Sequence, residues 1–240
     1  MKLIVSGATG FVGKEVIRQS LSRKDITSVI ALARKPVPVP ENLDPGADPA
    51  KLRSIVIEDY DKYSDDVKKE FADAAACIWT VAITPSKSKA YEPDEVKRVC
   101  QTSTLAGLRA MHDAGLAKPF RFLYMSGAAA ERDQTKTPKY YPEYCLMRGD
   151  TENKLLSLAT ELGGVDICVI KPGFITAPGE ILKYAWSTVV RVISGIPGIN
   201  VVDLAAVMLD RAAEGFDKEP LLPGDLGKLV NDRTGSQTTT

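Results

Sequence analysis

The sequence predicts an α/β fold built on a doubly wound parallel sheet with helices on both faces. Apolar, β-branched runs alternate with amphipathic stretches from the first residue onward, as in successive strand–helix–strand units. Most of the apolar runs lack polar alternation, which indicates strands that are covered on both faces. A chain of 240 residues with 44% hydrophobic and 26% charged residues is long enough for one large domain of this class.

Six strands and the helices between them follow from these patterns. The strands are predicted at Leu3–Ser6, Val29–Ala33, Ser54–Ile57, Cys77–Ala82, Arg121–Met125 and Asp166–Ile170. The helices are predicted at Val12–Arg23, Tyr63–Ala74, Glu92–Ala114 and Pro142–Leu162. In the first helix, Val12, Val16 and Ile17 have the spacing of a buried face. Five prolines between Pro36 and Pro49 predict an exposed loop within the sheet.

After Pro172 the alternation weakens. An apolar helix is expected at Ile181–Ile193 and another helix at Val202–Glu214. We therefore expect one domain over residues 1–230, in which residues 173–200 contribute a small C-terminal substrate-binding cap, followed by a disordered polar tail at residues 231–240. Ile181, Tyr184 and Trp186 could roof a substrate pocket or belong to the core.

Charge and cysteine content argue against several classes of function. Lys+Arg and Asp+Glu both total 31, which disfavours a nucleic-acid or membrane partner. Neither a membrane span nor a signal peptide is predicted, so we expect a cytoplasmic protein that acts on a small molecule as a monomer or homodimer. The four cysteines have no zinc-binding spacing, and no metal is expected.

A glycine-rich segment follows the first strand directly and opens the first helix. Its sequence is Ser6-Gly7-Ala8-Thr9-Gly10-Phe11-Val12-Gly13, with the spacing G-x-x-G-x-x-G. Glycine suits a sharp turn, a backbone approached closely by a diphosphate, and tight packing of helix on strand. Backbone N–H groups around Phe11 and Val12 would face the phosphates, aided by the helix dipole. The segment therefore predicts a dinucleotide site at Gly7, Thr9, Gly10, Phe11 and Val12.

Arg34 indicates which dinucleotide binds. NAD sites place an acidic residue on the ribose 2′-hydroxyl at the end of the second strand, and here that position holds Arg34, with Lys35 beside it. A guanidinium can bond a 2′-phosphate through several donors, whereas a carboxylate would repel it. The cofactor is therefore predicted to be NADP(H).

Further motifs follow the later strands. They are Asp59-Tyr60, Ala82-Ile83-Thr84, Ser126-Gly127 and Lys171-Pro172-Gly173-Phe174-Ile175. Through these motifs and the glycine-rich segment, roughly residues 1 to 215 resemble the atypical, NmrA-like short-chain dehydrogenases/reductases. Members of that family have the Rossmann fold. The resemblance implies that Asp59 and Tyr60 lie near the adenine and that Ala82 and Ile83 run beneath the ribose. It also implies that Pro172, Phe174 and Ile175 close over the nicotinamide.

The resemblance implies a catalytic tyrosine as well. In the family, a tyrosine hydroxyl exchanges a proton with the substrate oxygen, and a lysine four residues later lowers the tyrosine pKa and bonds the ribose. Tyr144 has this spacing to Arg148, so arginine stands where lysine is expected. Arginine keeps the charge but cannot relay a proton. Tyr144, Arg148 and the substrate-polarising Ser126 are the predicted catalytic residues, while Tyr140 and Tyr141 could line the pocket.

Three functions remain open at this stage. The first is an NADP(H)-dependent oxidoreductase acting on a carbonyl or conjugated group of a small molecule. The second is an NADP(H)-binding redox sensor without turnover, which the arginine in the lysine position motivates. The third is an isomerase, epimerase or dehydratase that uses its bound nucleotide internally.

Overall fold

A six-stranded parallel sheet forms the centre of the molecule, as the sequence predicts. The computed structural model describes residues 1–177 and 197–237. The strands are β1 (Lys2–Ser6), β2 (Ser28–Ala33), β3 (Leu52–Val56), β4 (Ala76–Trp79), β5 (Phe120–Met125) and β6 (Val165–Ile170). Their spatial order is β3-β2-β1-β4-β5-β6, which is that of a Rossmann fold. The order reverses between β1 and β4, where such sheets open a crevice at the carboxyl ends of the strands.

Eight helices are described around this sheet. They are α1 (Phe11–Ser20), α2 (Asp65–Phe71), α3 (Pro85–Ser88), α4 (Pro93–Lys97), α5 (Ser103–Asp113), α6 (Pro142–Leu162), α7 (Val201–Glu214) and α8 (Pro223–Gln237). A 3₁₀ turn covers Pro49–Lys51, and two short strands, β7 (Ile175–Thr176) and β8 (Ile199–Asn200), pair in parallel outside the main sheet.

The two faces of the sheet carry separate hydrophobic clusters because successive strand residues point to opposite sides. Leu3 and Val5 of β1 belong to the cluster that includes residues of α1 and α7. Ile4 belongs to the other cluster, with Trp79 and residues of α2, α5 and α6. Both faces are therefore covered, which explains why the strands read as continuous apolar runs.

Three boundaries differ from the sequence prediction. The fourth strand ends at Trp79 rather than Ala82, because the N–H and hydroxyl of Thr80 both donate to the Ser6 carbonyl, at 3.0 and 2.8 Å, and turn the chain over the end of β1. The predicted helix Tyr63–Ala74 is shorter, beginning after Ser64, whose hydroxyl accepts from the Val67 amide. The predicted helix Glu92–Ala114 is divided by a π-helical turn at Arg98–Thr102.

The C-terminal region also differs from the expectation. Residues 231–237, predicted as a disordered tail, continue α8. Leu226 anchors this helix in the core, and the Arg233 guanidinium pairs with the Asp210 carboxylate, contacts that polar composition alone does not reveal. Most of the predicted cap (173–200), including the predicted helix Ile181–Ile193 with Tyr184 and Trp186, lies outside the described residues.

Two findings bear on partners. No helix within residues 1–177 and 197–237 is long and apolar enough to cross a membrane. Over the same residues, no group of three or more His, Cys, Asp or Glu side chains is placed to hold a metal ion.

Gly107→Ala tests the packing of α5 on the sheet. A Cβ at Gly107 would lie 2.4 Å from the Trp79 ring, so we expect a loss of about 1–3 kcal/mol from overpacking despite alanine's better helix propensity. Gly227→Ala in α8, where a Cβ meets nothing within 4 Å, should instead stabilise by about 0.5–1 kcal/mol. Urea unfolding of both variants measures the difference, and equal effects at the two sites would contradict this packing.

Candidate functional site

The turn from β1 into α1 is a close approach of backbone segments. Gly7 has a φ of 80°, in the left-handed region that favours glycine. Its N–H lies 3.2 Å from both the Leu32 carbonyl and the Tyr60 hydroxyl. A Cβ at Gly7 would lie 2.5 Å from the Thr80 hydroxyl oxygen, so a larger residue would displace the turn.

The other two glycines complete the turn into the helix. The Gly10 N–H donates to the Gly7 carbonyl at 2.8 Å, and a Cβ at Gly13 would lie 2.4 Å from that same oxygen. Gly10 is the N-cap of α1 and has no side chain that could accept from the first-turn N–H groups. Thr9, Gly10 and Phe11 are exposed. Val12 is buried, so only its backbone can contribute to a ligand site. The first-turn N–H groups are thus available to an anion.

Tyr60 supports this loop from inside. Its side chain is buried, and its hydroxyl donates to the Leu32 carbonyl at 3.0 Å while accepting from the Gly7 N–H. Burial raises the pKa of Tyr60 to about 12, so the hydroxyl stays protonated at neutral pH. Both hydrogen bonds of the Tyr60 hydroxyl are made beneath the loop, and the placement of Tyr60 near the adenine stays a prediction.

Arg34 and Asp59 lie at the carboxyl ends of β2 and β3. Arg34 is exposed and makes no ion pair with any residue that the structure describes. The Asp59 carboxylate accepts from the Arg98 guanidinium at 2.6 Å, and this contact holds the pKa of Asp59 below its usual range. Arg98 also pairs with Glu95 of α4. Arg98 also contacts the Asp61 carboxylate at 3.2 Å, so one guanidinium is shared among three carboxylates and the charge of Asp59 is compensated only in part. Arg34 makes no ion pair with this cluster.

Tyr144 and Arg148 lie together on the first turns of α6. The Tyr144 hydroxyl donates to the Ile83 carbonyl at 2.8 Å, which ties α6 to the segment after β4. Burial raises the pKa of Tyr144, and the neighbouring Arg148 guanidinium opposes the rise. The two residues are therefore close enough to interact electrostatically, and their catalytic role stays a prediction.

Arg148 lies deeper than the resemblance implies. Its side chain is 3% exposed, donates to the Met125 carbonyl at 2.7 Å, and lies 5.0 Å from the centre of the Tyr124 ring. The Nε of Arg148 and the hydroxyl of Tyr124 are buried without a hydrogen-bond partner in the described part of the chain. Its contact with a cofactor ribose remains a prediction, whereas its proximity to Tyr144 is part of the structure.

Ser126 is held by a buried carboxylate. Its hydroxyl is 2.5 Å from Glu152, which is fully buried and also contacts Arg132 at 2.7 Å and Lys171 at 3.1 Å. A carboxylate paired with two cations accepts hydrogen bonds, so the Ser126 hydroxyl donates its proton to Glu152. Ser126 then offers lone pairs to a ligand, and its substrate-polarising role stays a prediction.

The remaining predicted residues lie along the same edge of the sheet. Ala82 and Ile83 are half-buried after β4. The Pro172 carbonyl accepts from the Ala128 N–H at 3.0 Å, next to Ser126, and Phe174 is 42% exposed. Ile175 is half-buried in β7. The topology thus brings the predicted segments to one crevice.

Sequence reasoning missed the residues behind this edge. Glu152 and Arg132 were not singled out, nor was Cys100, whose sulfur accepts from the Ile83 N–H at 3.3 Å. Lys171, directly after an apolar strand, is a sequence signal for a buried acidic residue, because a cation in that place needs an acidic partner.

The residues present fit a dinucleotide cofactor. The positions of Gly7 and Gly13 leave no room for side chains, and the first turn of α1 offers unpaired N–H groups. Arg34 offers an exposed cation at the end of β2. Tyr144 lies at the same edge, beyond β4.

Comparison with known proteins agrees with this geometry. Residues 7–214 match the model of a family described as NAD(P)H-binding. A curated relative, the leucinostatins biosynthesis cluster protein T of Purpureocillium lilacinum, is 34% identical over 80 residues, which cover 33% of this chain and 27% of that protein. The match thus spans about a quarter of the length of that relative.

Solved structures share the fold at low identity. The UDP-glucose 4-epimerase of Thermotoga maritima has a TM-score of 0.64 and 18% identity, covering 98% of this chain and 83% of its own. The PhqB reductase domain of Penicillium fellutanum has a TM-score of 0.64 and 16% identity, covering 91% and 65%. WbmF of Bordetella bronchiseptica, in complex with NAD⁺, has a TM-score of 0.64 and 14% identity, covering 98% and 78%.

Tyr60→Phe tests the support beneath the glycine loop through its pH dependence. The folded-state pKa of about 12 exceeds the ordinary value of 10.0, so the unfolded chain loses this proton first as the pH rises. The hydroxyl's contribution is therefore intact below pH 10 and is lost towards pH 12, by about 1.4 kcal/mol per pH unit.

Urea unfolding at pH 9 and pH 11.5 measures this effect. At pH 9 the variant should be about 1 kcal/mol less stable than the wild type, and at pH 11.5 the difference should vanish or reverse. Tyr91→Phe, on a half-exposed ring, is the control and should follow the wild type at both pH values. If the free energy of unfolding changed with pH in the same way for Tyr60→Phe and the wild type, this hydroxyl would not be held as described.

Proposed function

This chain belongs to the NAD(P)H-binding family, and from that premise we propose that it is an NADP(H)-dependent oxidoreductase. Its substrate is a small molecule with a carbonyl or conjugated group. The observation that carries the proposal is the placement of Tyr144, with the buried cation of Arg148 beside it, at the same sheet edge as the glycine loop.

Arg34 supports NADP(H) over NAD(H). It is exposed and makes no ion pair within the described residues, while the adjacent Asp59 carboxylate is hydrogen-bonded to Arg98. A 2′-phosphate at this edge would meet the Arg34 guanidinium.

Tyr144 acts as the proton donor in this proposal. NADPH held at this edge would supply the hydride for the carbonyl carbon. The raised pKa of Tyr144 keeps its hydroxyl protonated at neutral pH, ready to give the proton to the carbonyl oxygen. Arg148 then stabilises the tyrosinate, and solvent returns the proton, because the arginine itself cannot relay one.

Ser126 binds the product rather than the carbonyl. Its proton is held by Glu152, so its oxygen can accept a hydrogen bond from the newly formed hydroxyl of the alcohol. Ser126 thereby holds the product hydroxyl without competing with Tyr144 as donor.

A second candidate is an NADP(H)-binding sensor without turnover. This candidate is favoured by the hydrogen bonds that the three predicted catalytic residues already make within the protein. Arg148 donates to the Met125 carbonyl, Ser126 to the Glu152 carboxylate and Tyr144 to the Ile83 carbonyl. Titration with NADPH, followed by a test for NADPH oxidation across a panel of ketones, quinones and enones, separates the reductase from the sensor.

An epimerase or dehydratase is the third alternative, and solved structures of the same fold include an epimerase. Such an enzyme would give no net NADPH oxidation and would convert a sugar nucleotide instead.

Arg34→Ala tests the cofactor preference. Hydrogen bonds to charged groups contribute about 1.5–3 kcal/mol, so NADPH affinity should fall about 10- to 100-fold while NADH affinity stays within about threefold. Fluorescence titration measures both nucleotides. Arg109→Ala, which removes an exposed pair with Glu161 on the outer helices, is the control and should leave both affinities unchanged. Equal losses for NADPH and NADH would refute a 2′-phosphate contact at Arg34.

Tyr144→Phe tests the proton donor. Single-turnover hydride transfer to the best substrate of the panel should fall about 10²- to 10⁴-fold, because general acid catalysis is removed. NADPH affinity should change by less than about threefold, since the ring and its packing remain. Tyr140→Phe, on a ring that is 68% exposed, is the matched control with wild-type rates. A near wild-type rate in Tyr144→Phe would remove this residue from the chemistry.

A further inference from the structure

An open cleft adjoins Tyr144 on the side of α4 and the start of α6. Its volume is about 690 Å³, in the range of small-molecule sites. Apolar and aromatic side chains form much of its lining: Tyr91, Val96, Tyr141, Pro142, Tyr144 and Met147. All the residues that line the cleft are described.

Two tyrosine rings are presented to this cleft rather than packed in the core. Tyr91 is 50% exposed and Tyr141 is 39% exposed, although both rings are large enough to favour burial. Tyr141 has a φ of 48°, an uncommon backbone conformation for an aromatic residue, directly before Pro142 opens α6. The Lys89 ammonium lies 5.3 Å from the centre of the Tyr141 ring. The chain thus holds this ring at the cleft at a conformational cost.

The charges around the cleft balance. Lys89 and Lys97 line it together with Asp94 and Glu143, and none of the four makes an ion pair within the described residues. Two cations and two anions give no net attraction for a polyanion such as a sugar nucleotide. A neutral ligand with flat apolar faces matches the lining better.

Tyr144 connects the cleft to the candidate site. It lines the cleft, and its hydroxyl reaches the Ile83 carbonyl in the segment after β4. A ligand in the cleft that carries a carbonyl at one end would therefore bring that group to the proton donor.

We propose that this cleft is the substrate site and that it selects neutral, planar aromatic ketones or quinones, which stack on Tyr91 and Tyr141. The inference rests on the proposed reductase function. For a ketone, the carbonyl carbon gains hydride from NADPH, the oxygen gains the Tyr144 proton, the product is the alcohol, and NADP⁺ is released. Tyr144 regains its proton from solvent.

The test uses 9,10-phenanthrenequinone as the planar probe and cyclohexane-1,2-dione as a diketone without aromatic faces. Binding to the full chain saturated with NADP⁺ is measured by quenching of protein fluorescence, since the oxidised cofactor allows no reduction. NADPH-dependent turnover is measured in parallel. The aromatic diketone should bind at least about tenfold more tightly than the aliphatic one.

Tyr91→Ala and its matched control Tyr140→Ala locate the site. Tyr140 is 68% exposed and is not among the residues lining the cleft. In Tyr91→Ala the Kd and KM for the quinone should rise about three- to tenfold with little change in kcat, because a binding face is lost while the chemistry is kept. Tyr140→Ala should match the wild type. Equal behaviour of the two variants would overturn the proposal, as would competition of UDP-glucose with the quinone.

An NADPH titration on each variant separates the two possible failures. If the protein binds NADPH normally and reduces ketones without preferring the aromatic probe, the cleft is not the substrate site. The proposed reductase function then still stands. If Tyr91→Ala weakens quinone binding but the protein oxidises no NADPH, the result would support the cleft as a ligand site. It would also refute the proposed function.

Discussion

The site depends on one close approach, that of the Gly7 backbone to its neighbours. Its N–H is shared between a β2 carbonyl and the Tyr60 hydroxyl, and Thr80 occupies the space where a side chain would project. Gly13 packs on the Gly7 carbonyl from the helix side. One position thereby links the ends of β1, β2 and β4. The start of α1, the residue after β2 and the segment leading to Ile83 are consequently held in a fixed relation, as a dinucleotide spanning the crevice requires.

Buried polar groups behind this edge determine which hydroxyl keeps a proton for a ligand. Ionised groups are costly to bury, and Glu152 is compensated by Arg132 and Lys171. Its bond from Ser126 is charge-assisted, whereas the bond from Tyr144 ends on a neutral carbonyl. Charge-assisted hydrogen bonds are roughly twice as strong as neutral ones, so the Tyr144 hydroxyl is the easier one to redirect towards a ligand. In the proposed reaction, this difference gives the two hydroxyls opposite roles towards a substrate oxygen.

Much of the fold was predictable because its signals are local. The apolar strands placed the parallel sheet correctly, and the helix Pro142–Leu162 was predicted at its observed bounds. The errors occurred where a distant contact overrides local preference. Thr80 ends β4 early by bonding to Ser6, and the polar residues before Gln237 stay helical because Leu226 and Arg233 anchor α8. Composition alone cannot reveal such anchors.

By itself, the sequence determined the glycine spacing, the arginine after β2 and the pairing of Tyr144 with Arg148, since each lies within one turn, strand end or helix face. Only the tertiary structure decided that Tyr60 supports the loop and that Glu152 holds Ser126. These partners are separated by 53 and 26 residues along the chain. Their meeting follows from the order of strands in the sheet and from the burial of their polar atoms, which forces each to find a partner nearby in space.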